Sequence, residues 1–155
     1  MNKEYSMHET GNTDEQIREA LIENMGDQID NYLLPPPVFD YMGAEYVDFD
    51  RAAGTLSIRF PIRPEYRNPY GAMQGGMVAA AVDNTLGPLS VLVAPPNVTR
   101  MLEMTYSYPV DPAMEYFTVH ARFTERNERR LFFKAEVKSP EGRRLARAKA
   151  VHYIL

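Results

Sequence analysis

Gln74-Gly75-Gly76-Met77-Val78-Ala79-Ala80-Ala81-Val82-Asp83-Asn84-Thr85-Leu86-Gly87-Pro88-Leu89-Ser90-Val91-Leu92-Val93 is the stretch on which the fold turns. Met77, Val78, Ala79, Ala80, Ala81, Val82 and Leu86 cover every direction of a helical wheel, and a helix that is apolar all round is a buried one. Gly87-Pro88 is expected to kink or end it, because proline removes a donor and clashes with the preceding turn. Asp83, Asn84, Gly87 and Pro88 inside the segment argue against a membrane span.

On both sides of this helix the hydrophobic period is two. Leu56, Ile58, Phe60 and Ile62 alternate with polar neighbours, as do Leu102, Met104, Tyr106 and Tyr108, then Phe117, Val119, Ala121 and Phe123, then Leu131, Phe133, Ala135 and Val137. Each run reads as a strand with one buried face. Ser139-Pro140-Glu141-Gly142 supplies a turn, and Leu145 to Ile154 forms a last strand. That strand puts Ala146, Ala148 and Ala150 on one side, small enough for a helix to approach closely. Upstream, Thr13-Asp14-Glu15-Gln16 reads as a capping box. Ile17, Leu21, Met25 and Ile29 then recur every four residues as an amphipathic packing helix, ended by Pro35-Pro36-Pro37. The order is helix, strands, one buried helix, then four strands. It predicts an α+β fold in which an antiparallel sheet curls around a central helix, with an extra N-terminal helix. Residues 1–37 form the N-terminal helix and proline-rich connection, and 38–155 the main domain.

The bulk numbers narrow the function. At 155 residues, 45% hydrophobic and 25% charged, the chain has a globular composition. A net charge of -4 without a basic block argues against nucleic-acid binding but leaves room for a local anion site. The lack of cysteine excludes disulfides, thiolate nucleophiles and Cys-based metal sites. Met1 to Thr13 is polar, with no stretch suited to a signal peptide, so a cytoplasmic location is expected. His8, His120 and His152 have no metal-ligand spacing, and no metal is expected. The G-x-S-x-G, Walker A and dinucleotide fingerprints are missing.

Asp83 stands out, because a carboxylate in an apolar helix is costly unless it is paired or hydrogen-bonded. Either it is satisfied structurally, or it faces a cleft where it has a use. Just before it, Asn68-Pro69-Tyr70-Gly71-Ala72-Met73-Gln74-Gly75-Gly76 is a turn-rich loop opening into the helix. Glycines there serve packing or turning. Alternatively, they leave helix N-terminal N–H groups bare, ready to grip an anion or polarise a carbonyl.

The spaced set Asn68-x-x-Gly71-x-x-Gln74-Gly75-Gly76, with Asp83 nine residues after Gln74, resembles the signature of PaaI-type hotdog thioesterases of the 4-hydroxybenzoyl-CoA thioesterase superfamily. Thr99 to Pro109 (TRMLEMTYSYP) is similar to that family's third strand, and Arg126 to Leu155 to its closing hairpin; the likeness spans about Val38 to Leu155. It implies a hotdog fold and hydrolysis of an acyl- or aryl-CoA thioester, with coenzyme A part of the substrate and no separate cofactor. By the same resemblance Asp83 is the nucleophile or general base, the Gly75 N–H polarises the thioester carbonyl, and Asn68 holds the water or the carboxylate. Gln74 stands where the family usually has histidine. It can hydrogen-bond but cannot carry a proton between pH 5 and 8.

Gly75 and Asp83 are eight residues apart, about 12 Å along a helix, whereas a reacting carbon must lie roughly 3 Å from both attacker and oxyanion donors. Asp83 of one subunit is therefore expected to work with Gly75 and Asn68 of another, in a homodimer or a dimer of dimers. Substrate contacts are expected from Gly76, Thr99, Arg129 and Arg130; the hairpin cluster Arg126, Arg129 and Arg130 is either a solvated face or a turn that reaches the CoA phosphates. Thr85 and Thr99 border the pocket or serve helix and strand. Tyr70 and Tyr106 are read as core packing before channel lining. Two rivals remain: a non-catalytic acyl-CoA binding or sensing protein, and a hotdog hydratase or dehydratase, which wants a histidine that the central segment lacks.

Overall fold

The computed structural model of the protein describes residues 10–155; His8 and the polar stretch before Thr10 lie outside the described residues. Helix α1 (Thr10–Met25) buries Ile17, Ala20 and Met25. Thr13 lies within α1 rather than capping it, because the helix begins three residues earlier. The proline triplet does not end it either. Gly26, at φ +54°, takes the left-handed conformation that stops a helix, and the chain continues as a 3-10 turn over Gly26–Asn31 that carries Ile29. Pro37 instead opens a short helix, α2 (Pro37–Tyr41), at a position where a missing N–H leaves nothing unpaired.

Six antiparallel strands follow: β1 (Glu45–Asp50), β2 (Thr55–Pro61), β3 (Asn97–Tyr106), β4 (Tyr116–Asn127), β5 (Arg130–Lys138) and β6 (Arg144–Ile154). They form one sheet in the order β1-β2-β4-β5-β6-β3. The alternation read from β2, β4, β5 and β6 holds along most of each strand, while Ile62 lies past the end of β2 and Phe123 is half-buried. Leu56, Ile58, Phe60, Phe117, Val119, Leu131, Phe133, Val137, Ala146 and Ala150 are buried on one face. The Phe60 and Phe117 rings stack at 5.7 Å between centroids. On β3 the expectation fails in part: Leu102 and Met104 are half-buried, while Tyr106 is 49% exposed and Tyr108 lies beyond the strand's end. The reason is position: β3 is an edge strand, paired only to β6.

Helix α3 (Gly75–Val93) lies against β2, β3, β4 and β5, and it passes through Pro88 without ending. The backbone acceptor that Pro88 leaves unfilled is that of Asn84, which is half-buried rather than sealed in the core. At the far end, Asn24 Nδ2 donates to the carbonyls of Val91 (3.0 Å) and Leu92 (2.6 Å), serving two of the four acceptors that a helix leaves open there. By length and composition α3 could cross a membrane, but its apolarity is that of a helix packed inside a sheet. Ile17 and Ala20 of α1 join the same core as α3 and the sheet.

The all-round burial expected of α3 is not what the chain shows. Val78, Ala81, Val82, Thr85, Leu86, Leu89 and Leu92 are buried, whereas Gly76 and Asp83 are exposed and Ala79, Ala80 and Gly87 half-buried. The sheet wraps one side of the helix, and the other side is a strip of small residues around a carboxylate.

Candidate functional site

Asp83 projects from the uncovered side of α3, so its carboxylate is solvated rather than forced into an apolar interior. Thr99 Oγ1 donates to its Oδ1 at 3.0 Å. Thr99 is held there by the sheet: it pairs with His152 of β6, next to a register irregularity between Thr99 and Met101. Thr99 is thus a paired residue of β3 whose hydroxyl reaches the Asp83 carboxylate. Thr85, in contrast, is fully buried and bonds its own helix at the Ala81 carbonyl (2.9 Å).

Behind Thr99 stands His152, 1% exposed, with Nε2 3.3 Å from Thr99 Oγ1 and Nδ1 2.9 Å from Asn97 Oδ1. Its ring lies 4.8 Å from that of Phe133. Burial holds its pKa below the usual 6.5, opposed by the Asp83 charge. Sequence reasoning set His152 aside with the other histidines, yet a signal was there. Ala146, Ala148, Ala150 and His152 keep one period of two, which puts a titratable ring at an inward position of β6.

The N-terminal end of α3 is built by its loop. Asn68 Oδ1 accepts from the Tyr70 and Ala72 backbone N–H groups (2.9 and 3.2 Å), and the Gln74 N–H donates to the Tyr66 carbonyl (2.7 Å). Asn68 thus shapes the loop through its oxygen and keeps its amide nitrogen for another partner. Gly75 and Gly76 begin the helix, so their N–H groups have no carbonyl a turn below them. Gln74 is exposed, and its side chain makes no capping bond. The Gly75 carbonyl accepts from Tyr106 Oη at 2.6 Å, and Tyr106 and Tyr70 are both exposed, not core residues as expected.

Thr99 is the third residue of β3 and Tyr106 its last, so the carboxylate and the glycine turn are anchored toward opposite ends of one strand. The arginines divide. Arg129 donates through Nε and a terminal nitrogen to the Ile154 carbonyl (3.1 and 2.7 Å), which ties the β4–β5 turn to the end of β6 that carries His152. Arg126 Nε donates to the Glu128 carbonyl (2.9 Å), and Arg130 begins β5 with its side chain exposed. Among the described residues no three acidic or histidine side chains gather as a metal site.

Two large concavities lie away from this centre. One, of about 570 Å³, sits on the outer face of the sheet around Arg122, Lys134 and Lys149. The other, of about 1040 Å³, lies between α1, α2 and β1. Neither is lined by Asp83 or Gly75.

No family model and no curated protein matches the chain. Solved structures do. A phenylacetic acid degradation-related protein from Ralstonia eutropha JMP134 superposes with a TM-score of 0.71 at 24% identity, over 77% of this chain and 90% of that one. The PaaI protein from the phenylacetic acid degradation operon of E. coli gives 0.73 at 11%, over 90% and 96%. A mutant thioesterase from Staphylococcus aureus gives 0.69 at 11%, over 76% and 98%. At such identities the likeness shows the fold alone: an antiparallel sheet curled around a central helix, the hotdog architecture.

Proposed function

We propose that the protein hydrolyses the thioester of an acyl- or aryl-CoA, with Asp83 as general base and the Gly75 N–H as oxyanion donor. The observation that carries this reading is the Asp83 carboxylate: solvent-open on an otherwise uncharged helix and oriented by Thr99 through a single bond to one oxygen. The other oxygen is left to take a proton from water. In the reaction the water oxygen bonds to the thioester carbonyl carbon while its proton passes to Asp83. The oxyanion is stabilised by the bare N–H at the start of α3, where the helix dipole adds its positive end. Collapse breaks the C–S bond, and the thiolate takes back the proton.

One chain does not bring these parts together, since Asp83 and Gly75 are about 12 Å apart along the helix. The proposal therefore includes a second copy. The uncovered strip of α3 and the free edge of β3, with Val98, Met101 and Tyr106 exposed along it, are the surfaces suited to cover each other. A long exposed edge strand is a natural pairing site. Arg129 and Arg130 are proposed to face CoA phosphates, and Asn68 Nδ2 to hold the attacking water; Gly76 and Gln74 flank the carbonyl. Coenzyme A arrives with the substrate, and no further cofactor, nucleic acid or membrane enters the proposal; a cytoplasmic setting goes with it.

The test is release of free thiol from a panel of acyl- and aryl-CoAs, with Asp83→Ala as control. Thiol release abolished in the variant supports the hydrolase. Hydration of an enoyl-CoA identifies a lyase instead, and tight binding without turnover a sensor, the reading that Gln74 in the usual histidine position keeps in play.

A further inference from the structure

We infer that His152 is a positioning residue for Asp83, acting through Thr99 and holding the place of one transferable proton behind the carboxylate. The inference rests on the hydrolase reading above.

Three links run in series: Asp83 to Thr99 at 3.0 Å, Thr99 to His152 at 3.3 Å, and His152 to Asn97 at 2.9 Å. The far end fixes the tautomer. Asn97 Nδ2 donates to the Pro95 carbonyl at 2.9 Å, so the atom turned toward His152 Nδ1 is the amide oxygen, which only accepts. Nδ1 must therefore carry hydrogen, and in neutral imidazole Nε2 is then bare. With Asp83 ionised, the two remaining links share a single hydrogen, that of the Thr99 hydroxyl. It satisfies Asp83 and leaves the Nε2 lone pair facing the threonine oxygen. The link left without hydrogen is the longest of the three.

One added proton completes the series. Placed on Asp83 it donates to Thr99, whose own hydrogen turns to Nε2. Placed on Nε2 it donates to Thr99, which donates to Asp83. The two forms interconvert as the Asp83 proton moves to Thr99 Oγ1 while the Thr99 proton moves to His152 Nε2, with nothing gained or lost. Hydrolysis delivers that proton when the attacking water gives it up, and removes it when the thiolate leaves. Gln74 cannot serve this purpose, and His152 can.

The surroundings suit a neutral resting ring. Leu131 and Phe133 of β5 are apolar, β3 presents Thr99 and Asn97, and Asp83 of α3 is the charged group that acts on the imidazole. The Arg129 guanidinium on the adjacent turn is directed at the Ile154 carbonyl.

Imidazole ¹⁵N NMR on the whole protein, without substrate, tests the arrangement, with His152→Phe to assign the resonance. At pH 7 His152 should show a protonated Nδ1 and a bare Nε2, and its titration midpoint should fall further in Asp83→Asn, which removes the charge favouring imidazolium. The opposite tautomer, or a midpoint indifferent to Asp83→Asn, overturns the inference. In kinetics, His152→Phe keeps a ring beside Phe133 and should lower kcat about tenfold or more while KM stays within about twofold. Asn97→Asp should move the acid limb of kcat upward by about one pH unit or more, because a carboxylate favours the imidazolium. If His152→Phe does not fold, Asn97→Ala, which frees the tautomer, carries the kinetic test with the same expected loss. A folded variant with wild-type kcat beside an inactive Asp83→Ala sinks this inference alone; wild-type turnover in Asp83→Ala sinks the hydrolase reading instead.

Discussion

Tyr106 Oη donates to the Gly75 carbonyl oxygen at 2.6 Å, which ties the last residue of β3 to the first residue of α3. The contact leaves little room beside the glycine. A Cβ on Gly75 would meet Tyr106 Cζ at 3.3 Å and Oη at 3.4 Å. Gly75→Ala should therefore push the exposed tyrosine tip aside by a few tenths of an ångström and crowd the N–H proposed to polarise the carbonyl. The N–H remains, so the loss in kcat is expected to stay below the roughly 10²–10³ that follows when an oxyanion donor is removed. Steady-state kinetics on a thioester substrate checks it, with Tyr106→Phe as the milder companion that keeps the ring and loses only the bond.

Asp83→Ala removes the base and should lower kcat by about 10²–10⁴. Asp83 makes one side-chain bond and is exposed, so the fold should tolerate the change. Thermal melts run beside the kinetics separate a lost base from a lost structure.

Sharing between subunits has its own signature. If sites combine Asp83 of one copy with Asn68 and Gly75 of another, inactive Asp83→Ala and inactive Asn68→Ala chains complement each other. Random exchange places one intact site in half of the dimers, restoring about a quarter of wild-type activity. No recovery after exchange has been verified by mass would locate the site within single chains.

Asn24 bridges α1 to the end of α3 through two carbonyls. Asn24→Ala leaves both acceptors without that donor and should cost about 1–2 kcal/mol. For a chain of this length that is a Tm drop of roughly 2–8 °C. Turnover should hardly change, since the contact lies at the opposite end of α3 from Gly75.

Acid should weaken the fold through His152. Burial depresses its folded-state pKa below the usual 6.5, so the unfolded chain takes up the proton first as pH falls. Stability from this residue is therefore full above about pH 6.5 and is lost as pH drops from there toward the folded value. Melts between pH 7.5 and 5.5 should show Tm falling with pH in the wild type and a flatter profile in His152→Phe. Equal slopes would remove His152 from the account.

Much of the architecture was legible because burial on one face writes a period of two. Leu56, Ile58 and Phe60 announce β2, and Leu131, Phe133, Ala135 and Val137 announce β5, without reference to any partner. β1 leaves a weak signal in the sequence because it carries a single buried residue, Phe49, and a register irregularity between Tyr46 and Asp48. The apolar wheel of α3 was read as burial on all sides, yet the chain alone covers one. The remaining side is small rather than greasy, with Gly76, Ala79, Ala80 and Gly87 around the Asp83 carboxylate, and it is the surface that the dimer proposed above would cover.

Local pattern by itself thus determined β2, β4, β5 and β6, the central helix, and Asp83 as the acid that needed an explanation. Tertiary structure decided what that acid touches. Thr99 and His152 are 53 residues apart and face each other only through the register of β3 on β6. Pairing register depends on distant segments meeting, and no spacing within either strand encodes which residue of the other it will oppose.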